Sequence, residues 1–196
     1  WQADCHQRRT KPYSPWMNAA EGCIRKLKRG SSRKMLKTGS PKTLWDHCIE
    51  LEGYIHLCTV NDIYETHGET PETIMTGNTP DISHLCKVGW YDWVMFHDNT
   101  PSFPDNKMTL DRYLGPVIDV GSALTAKILK SNGTFACQST FCHLTNDETH
   151  CPAHIRLCSD FDASIRDILG RPARDDDFPA ADLTPDHDHY DPCDYD

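Results

Sequence analysis

Between residues 123 and 144 the chain carries the pattern of an antiparallel hairpin. Leu124, Ala126 and Ile128 alternate with Thr125 and Lys127, the two-residue period of a strand that buries one face. Asn132-Gly133 follows, a pair suited to the positive φ angles of a tight hairpin turn, and the segment Phe135 to Leu144 then resumes an extended pattern. Asn132-Gly133-Thr134 also matches a glycosylation acceptor, but the turn is the preferred reading. Upstream, Trp90 to His97 and Arg112 to Val117 are further strand candidates, separated by a polar loop with Pro101 and Pro104. Several short strands joined by turns call for a small barrel or half-barrel.

The first 60 residues have a helical period instead. Ser14 is placed to cap a helix whose first position is Pro15. Ala19, Ala20, Ile24 and Leu27 form a narrow apolar stripe on it. Glu21 is the only acid between Asp4 and Asp46, and Arg25, Lys26, Lys28, Arg29, Arg33, Lys34 and Lys37 follow it on the same expected helix, about Pro15 to Lys37. Gly22 and Gly30-Ser31-Ser32 weaken the helix, so a bend near Gly30 is expected. Gly39-Ser40-Pro41 then ends this helix, with Ser40 as the expected cap of the next. In that second helix Leu44, Cys48, Leu51, Ile55 and Cys58 make an apolar face, with Trp45 beside it. Thr70-Pro71 to Gly77 reads as a short capped helix ending at glycine.

Charge divides along the chain. Residues 1–45 hold 11 Lys and Arg against 2 Asp and Glu, whereas the whole chain has a net charge of −9. A basic head on an acidic body suits a local contact with nucleic acid better than a uniformly basic binder. At 196 residues the chain can hold one ordinary domain or two small ones. No stretch approaches a membrane span, so no membrane partner is expected, and a nuclear or cytoplasmic location is. The chain opens on Trp1 and is read as a piece of something longer. Its 10 cysteines include no CxxC pair, and reduced thiols are the preferred reading over disulfides or a zinc ribbon. His143, His150, Cys151, His154 and Cys158, with Cys142 nearby, could form a zinc cluster, but their spacing fits no pair of ligand pairs. Trp90, Tyr91, Trp93, Phe96 and Tyr113 could line a cage for a methylated lysine, though core packing accounts for them more simply. Residues 171–196, with nine Asp and scattered Pro, are expected to be disordered.

The setting of Glu21 carries a resemblance. Pro12-Tyr13-Ser14-Pro15, Asn18 and Glu21, followed by a basic helix, resemble the third-acid motif of retroviral and retrotransposon integrases, whose catalytic core has the RNase H-like fold. Thr70-Pro71-Glu72, Thr76-Gly77, Pro80-Asp81-Ile82-Ser83-His84-Leu85 and Gly89 are similar to the segment after the integrase core of copia-type retrotransposon polyproteins. Leu114-Gly115-Pro116, the hairpin and Ser139-Thr140 resemble their β-rich C-terminal region. The similarity covers roughly residues 1–150. It implies that Glu21 matches the third carboxylate of an Asp, Asp, Glu triad that holds two Mg²⁺ ions for DNA end processing and strand transfer. It further implies that Arg25 and Lys28 lie along DNA beside the metals, that the motif residue Asn18, after Pro15, positions the strand–helix junction, and that the parent is an oligomer; non-specific DNA binding is expected through Arg25, Lys28, Arg29, Arg33 and Lys34. The first two Asp of the triad and the zinc-binding N-terminal domain are absent from this sequence, and Asp4 is too close to Glu21 to replace an Asp. A lone Glu cannot hold two Mg²⁺ ions, so this polypeptide is expected to be inactive as an integrase.

The expected architecture is α+β. Residues 1–39 are read as the helical end of a truncated RNase H-like core, 40–87 as a helical connector, 88–146 as an SH3-like antiparallel β-module and 147–196 as an acidic, largely disordered tail. The expected function is that of an integrase fragment that binds DNA. The alternative is a stand-alone DNA- or chromatin-binding module in which Glu21 is incidental.

Overall fold

A computed structural model describes residues 19–60, 68–83, 85–98, 107–117 and 125–179. Its elements are α1 (Ala19–Thr38), a 3₁₀ turn (Lys42–Leu44), α2 (Trp45–Cys58), α3 (Pro71–Thr76), strands β1 (Trp93–His97), β2 (Met108–Pro116), β3 (Ala126–Leu129), β4 (Phe135–Gln138) and β5 (Phe141–His143), then α4 (Asn146–Thr149), α5 (Pro152–Leu169) and a last 3₁₀ turn (Asp175–Asp177). The fold is α+β, with one antiparallel sheet of five strands in the order β4-β3-β2-β1-β5.

The sheet is curled. β4 and β5 stand at opposite ends of the strand order, yet only Ser139 and Thr140 separate them in the chain. Four strand spacings in a flat sheet would be about 19 Å, whereas the Cα steps available from Gln138 to Phe141 reach at most about 11 Å. The edges must therefore approach each other. The long strand β2 makes this possible: Met108 to Arg112 pair with β1, Arg112 to Pro116 pair with β3, and the register shifts between Tyr113 and Gly115. Gly115 has a φ of 138° and its Cα faces Leu51 of α2, so the bulge lets the sheet bend where a helix backs onto it.

Two apolar clusters follow from the two faces. Val94, Phe96, Tyr113, Ala126 and Ile128 point into the curl with Val88, and Phe141 packs on them. Neighbouring positions point the other way: Leu114, Leu129 and Trp93 meet Met35 of α1, Leu44, Cys48 and Leu51 of the second helical segment, and Phe161 and Ile165 of α5. One core thus joins residues from α1, α2, the sheet and α5. The face expected for α2 is the buried one: Leu44, Cys48, Leu51 and Cys58 are buried and Ile55 packs against the core, while Trp45 is exposed.

Several expectations need revision. The strand expected from Trp90 starts at Trp93, because Tyr91 takes a left-handed φ of 62°. Ser40 is no helix cap. It is fully buried, and its hydroxyl accepts a hydrogen bond of 3.0 Å from the Trp90 indole N–H. The bend expected near Gly30 is replaced by an unbroken 20-residue helix. Residues 147–179, expected within a disordered tail, are structured. Thr145 and Glu148 form a capping box for α4, and α5 buries Phe161 and Ile165, four residues apart on one face. Beyond it Pro172 bridges to Pro41, the Ala173 N–H donates to the Ser40 carbonyl at 3.0 Å, and Arg171 makes a two-pronged pair with Asp177 at 2.7 and 2.9 Å. A helix that buries a stripe on an existing core needs no core of its own. Residues 180–196 lie outside the described residues.

Candidate nucleic-acid interface

α1 is built from good helix formers, with Glu21 in the first turn and Lys37 in the last, each suited to the helix dipole there. It stops cleanly. Gly39 is left-handed at φ 65° and the Ser40 N–H reaches back to the Met35 carbonyl at 3.3 Å, the closure that glycine after a helix permits. Ser14, Pro15 and Asn18, expected to start this helix, lie outside the described residues.

The second half of α1 crosses α2. Ser31, Ser32 and Met35 are buried there. The Cys48 thiol points at the Ser31 carbonyl at 3.7 Å, and burial pushes that thiol up to about 12. Gly30 has the Glu52 side chain directly against its Cα, so a Cβ there would push the carboxylate aside. The small residues that looked like helix breakers are the surface on which α2 lies. Lys34, one of the residues implied to contact DNA, turns into this crossing and pairs with the buried carboxylate of Glu52. Burial lowers its pKa. His56 stands 3.8 Å from Glu52, and burial, with Lys26 and Lys34 nearby, lowers its pKa. No local sequence signal marks this pairing, because Lys34 and Glu52 are 18 residues apart in the chain.

The first half of α1 is different. Glu21 and Lys28 are exposed, as is Arg33 further on, while Arg25 and Arg29 are half-buried. At 100° per residue Glu21, Arg25 and Lys28 fall within about 60° of arc, so the acid and two cations share one face. Ile24, in the same half, is 51% exposed. Lys26 and Lys37 add two cations not in the implied DNA set. The result is a run of cations along α1, Arg25, Lys26, Lys28, Arg29, Arg33 and Lys37, of which Lys28, Arg33 and Lys37 are exposed and Lys26 lies near His56 of α2.

Other candidate groups are placed as follows. No group of three or more His, Cys, Asp or Glu able to hold a metal occurs among the described residues, at Glu21 or elsewhere. Around the expected His/Cys cluster, ring nitrogens of His143, His150 and His154 lie against the backbone carbonyls of Leu144, Asn146 and Glu148 at 3.1, 2.7 and 2.9 Å. The eight described cysteines are free thiols. Of the aromatic residues considered as a cage, Phe96 and Tyr113 pack in the cluster inside the curl, and Trp93 and Tyr91 hold a cation of the protein's own. The Arg112 guanidinium lies 3.4 Å from the Trp93 ring centre and 4.3 Å from that of Tyr91, and donates to Asp162 at 3.1 Å. That space is filled from within. No described helix is long and apolar enough to cross a membrane.

Compared with known proteins, the chain matches no family model, no curated protein and no solved structure.

Proposed function

We propose that the chain binds duplex DNA through α1, as the retained end of a copia-like integrase. The observation that carries this reading is the cation ridge of α1: six Lys and Arg outside the Lys34–Glu52 pair, opposed on the helix by Glu21 alone. Such a ridge gains by releasing counterions from phosphates, with little dependence on base sequence. The integrase assignment rests on the sequence motif around Glu21 and on the downstream resemblance. An SH3-like identity for the β-module is supported by its strand order, a meander whose last strand returns to pair with its first. In the parent protein Glu21 would be one of three carboxylates holding two Mg²⁺ ions for strand transfer. In this chain it stands alone, and the expected chemistry is none.

A second reading, a stand-alone DNA- or chromatin-binding module acting in the nucleus or cytoplasm, is favoured by the core that α1, α2, the sheet and α5 share. The coding sequence upstream of Trp1 separates the two. Two Asp, the second roughly 35 residues before Glu21, would complete the integrase triad, since two metals need the pair.

Binding is tested by fluorescence anisotropy on a labelled duplex over a salt series. The logarithm of affinity is expected to fall linearly with the logarithm of salt, with a slope of about −0.9 for each phosphate engaged. Arg25→Glu with Lys28→Glu is expected to abolish this binding. A double variant that binds as tightly as the parent at low salt would remove α1 from the interface.

A further inference from the structure

The fold brings the start of the most acidic stretch of the chain to the end of its most cationic helix. The segment after α5 docks on the turn that closes α1. Pro172 bridges to Pro41, and the Ala173 N–H donates to the Ser40 carbonyl at 3.0 Å. The Asp177 carboxylate stands 3.7 Å from the Lys42 ammonium. It is also held by Arg171 at 2.7 and 2.9 Å and by the Arg174 N–H at 2.9 Å, so a network rather than one surface pair fixes this segment. Just beyond, residues 180–196 carry six Asp and no Lys or Arg. On α1, Arg29, Arg33 and Lys37 recur every four residues, within about 80° of arc. Arg33, Lys37 and, nearer the other end, Lys28 are exposed, and the row ends beside Thr38, the last residue of the helix.

We propose that residues 180–196 dock along the exposed cation row of α1, an autoinhibitory contact that duplex DNA must displace. Its consequence for DNA rests on the function proposed above; the contact itself does not. Reach is no obstacle. Seventeen residues span at most about 60 Å, twice the roughly 30 Å of a 20-residue helix. Tethering favours this occupant over the same segment of a second copy, because a short tether gives a local concentration of about 1 mM. Each exposed carboxylate–cation contact is weak alone, and six on one tethered segment act together. Duplex DNA remains the stronger polyanion. It carries one charge per roughly 1.7 Å of axis, against about one per 10 Å on the extended segment. The segment therefore lowers the affinity for DNA without abolishing binding, and it loses its hold as salt screens the contact.

The test has two readouts on the full chain. The contact is read without DNA by zero-length carbodiimide coupling and mass spectrometry, on an equal mixture of unlabelled and ¹⁵N-labelled protein. Amide links from Asp182 to Asp196 onto Lys28 or Lys37 are expected within single chains at low salt, and their loss at high salt. Its effect is read by duplex anisotropy on the parent and on a variant carrying Asp182→Asn, Asp186→Asn, Asp188→Asn, Asp191→Asn, Asp194→Asn and Asp196→Asn. The variant should bind about ten-fold more tightly at low salt, as a competitor at about 1 mM with a dissociation constant of about 0.1 mM requires, and the two proteins should converge as salt is raised. The proposal is overturned if the links to α1 are absent, or join two copies, or if both proteins bind DNA equally at low salt. Tighter binding without the links is a general effect of net charge and overturns it too. If neither protein binds DNA, the DNA reading fails, and the links still decide whether the segment docks on α1.

Discussion

The two halves of α1 are one continuous helix with the same apolar stripe, and they do opposite things. Ile24 and Met35 are separated by three turns and lie about 20° apart around the axis. Ile24 is 51% exposed, whereas Met35 is wholly buried. The difference is cover: α2 and the core bury the second half at Ser31, Ser32 and Met35, and no described residue of the first half is fully buried. Where cover exists, the helix supplies small residues and one lysine whose charge is answered internally by Glu52. In the first half Glu21, Ile24 and Lys28 are exposed. The face of a helix is therefore not a property of its sequence period alone. It is set by which turns the rest of the chain reaches.

The largest expected effect breaks that comparison at its extremes. Met35→Ala deletes a fully buried side chain and should destabilise the protein by about 2–5 kcal/mol. Ile24→Ala, on the same stripe, should change stability by no more than about 0.5 kcal/mol. Urea denaturation of the two variants against the parent reads both. Equal losses would mean that the first half of α1 is covered in solution.

The two glycines sharpen the same contrast. A Cβ at Gly30 would run into the Glu52 side chain, and one at Gly22 meets nothing. Gly30→Ala must displace the Glu52 carboxylate from Lys34, a loss that offsets the helix-propensity gain of about 1 kcal/mol, so it should be less stabilising than Gly22→Ala. Gly22→Ala should stabilise by up to about 1 kcal/mol, the difference in helix propensity. A thermal melt of each variant gives the order directly.

Much of this fold was legible. The Asn132-Gly133 turn, the Thr70 cap with its Gly77 stop, and the α2 stripe are all local signals, each complete within a few residues. What was not legible depends on partners distant in the chain. Ser40 looks like a cap until Trp90, 50 residues on, supplies an indole N–H. Gly30-Ser31-Ser32 looks like a weak point until Glu52 and Cys48 pack there. Phe161 and Ile165 look too few to fold a tail, and would be if the core they join were absent. The aromatic run from Trp90 gave no sign that Arg112 would occupy it. For the candidate interface, charge density on α1 was readable, but the turning inward of Lys34 was not, because it needs the position of Glu52. The acid of residues 180–196 was readable too, but its starting point beside α1 was not, because that needs Pro172 and Ala173 docked on Pro41 and Ser40.

The smallest expected effect concerns the polar layer at the crossing. His56 faces Glu52 on its own helix, and Lys26 and Lys34 across from α1. Burial and the two lysines hold its pKa below the ordinary histidine value, so the unfolded chain binds the His56 proton more readily than the folded protein does. Stability from this group is therefore fully present above about pH 6.5 and declines as pH falls toward the lowered folded value. Glu52 opposes part of this, and because His56 is partly solvated the effect should be modest. His56→Gln should flatten the pH dependence of the urea midpoint between pH 7.5 and pH 5, leaving the midpoint at pH 7.5 nearly unchanged. Ionic strength discriminates further. Repulsion from two lysines at a partly wet crossing is screened by salt, so the parent's loss at low pH should shrink as salt is raised. Binding by the exposed half of α1 should weaken under the same change. If the parent's loss at low pH did not change with salt, burial alone, without the two lysines, would account for the lowered His56 pKa.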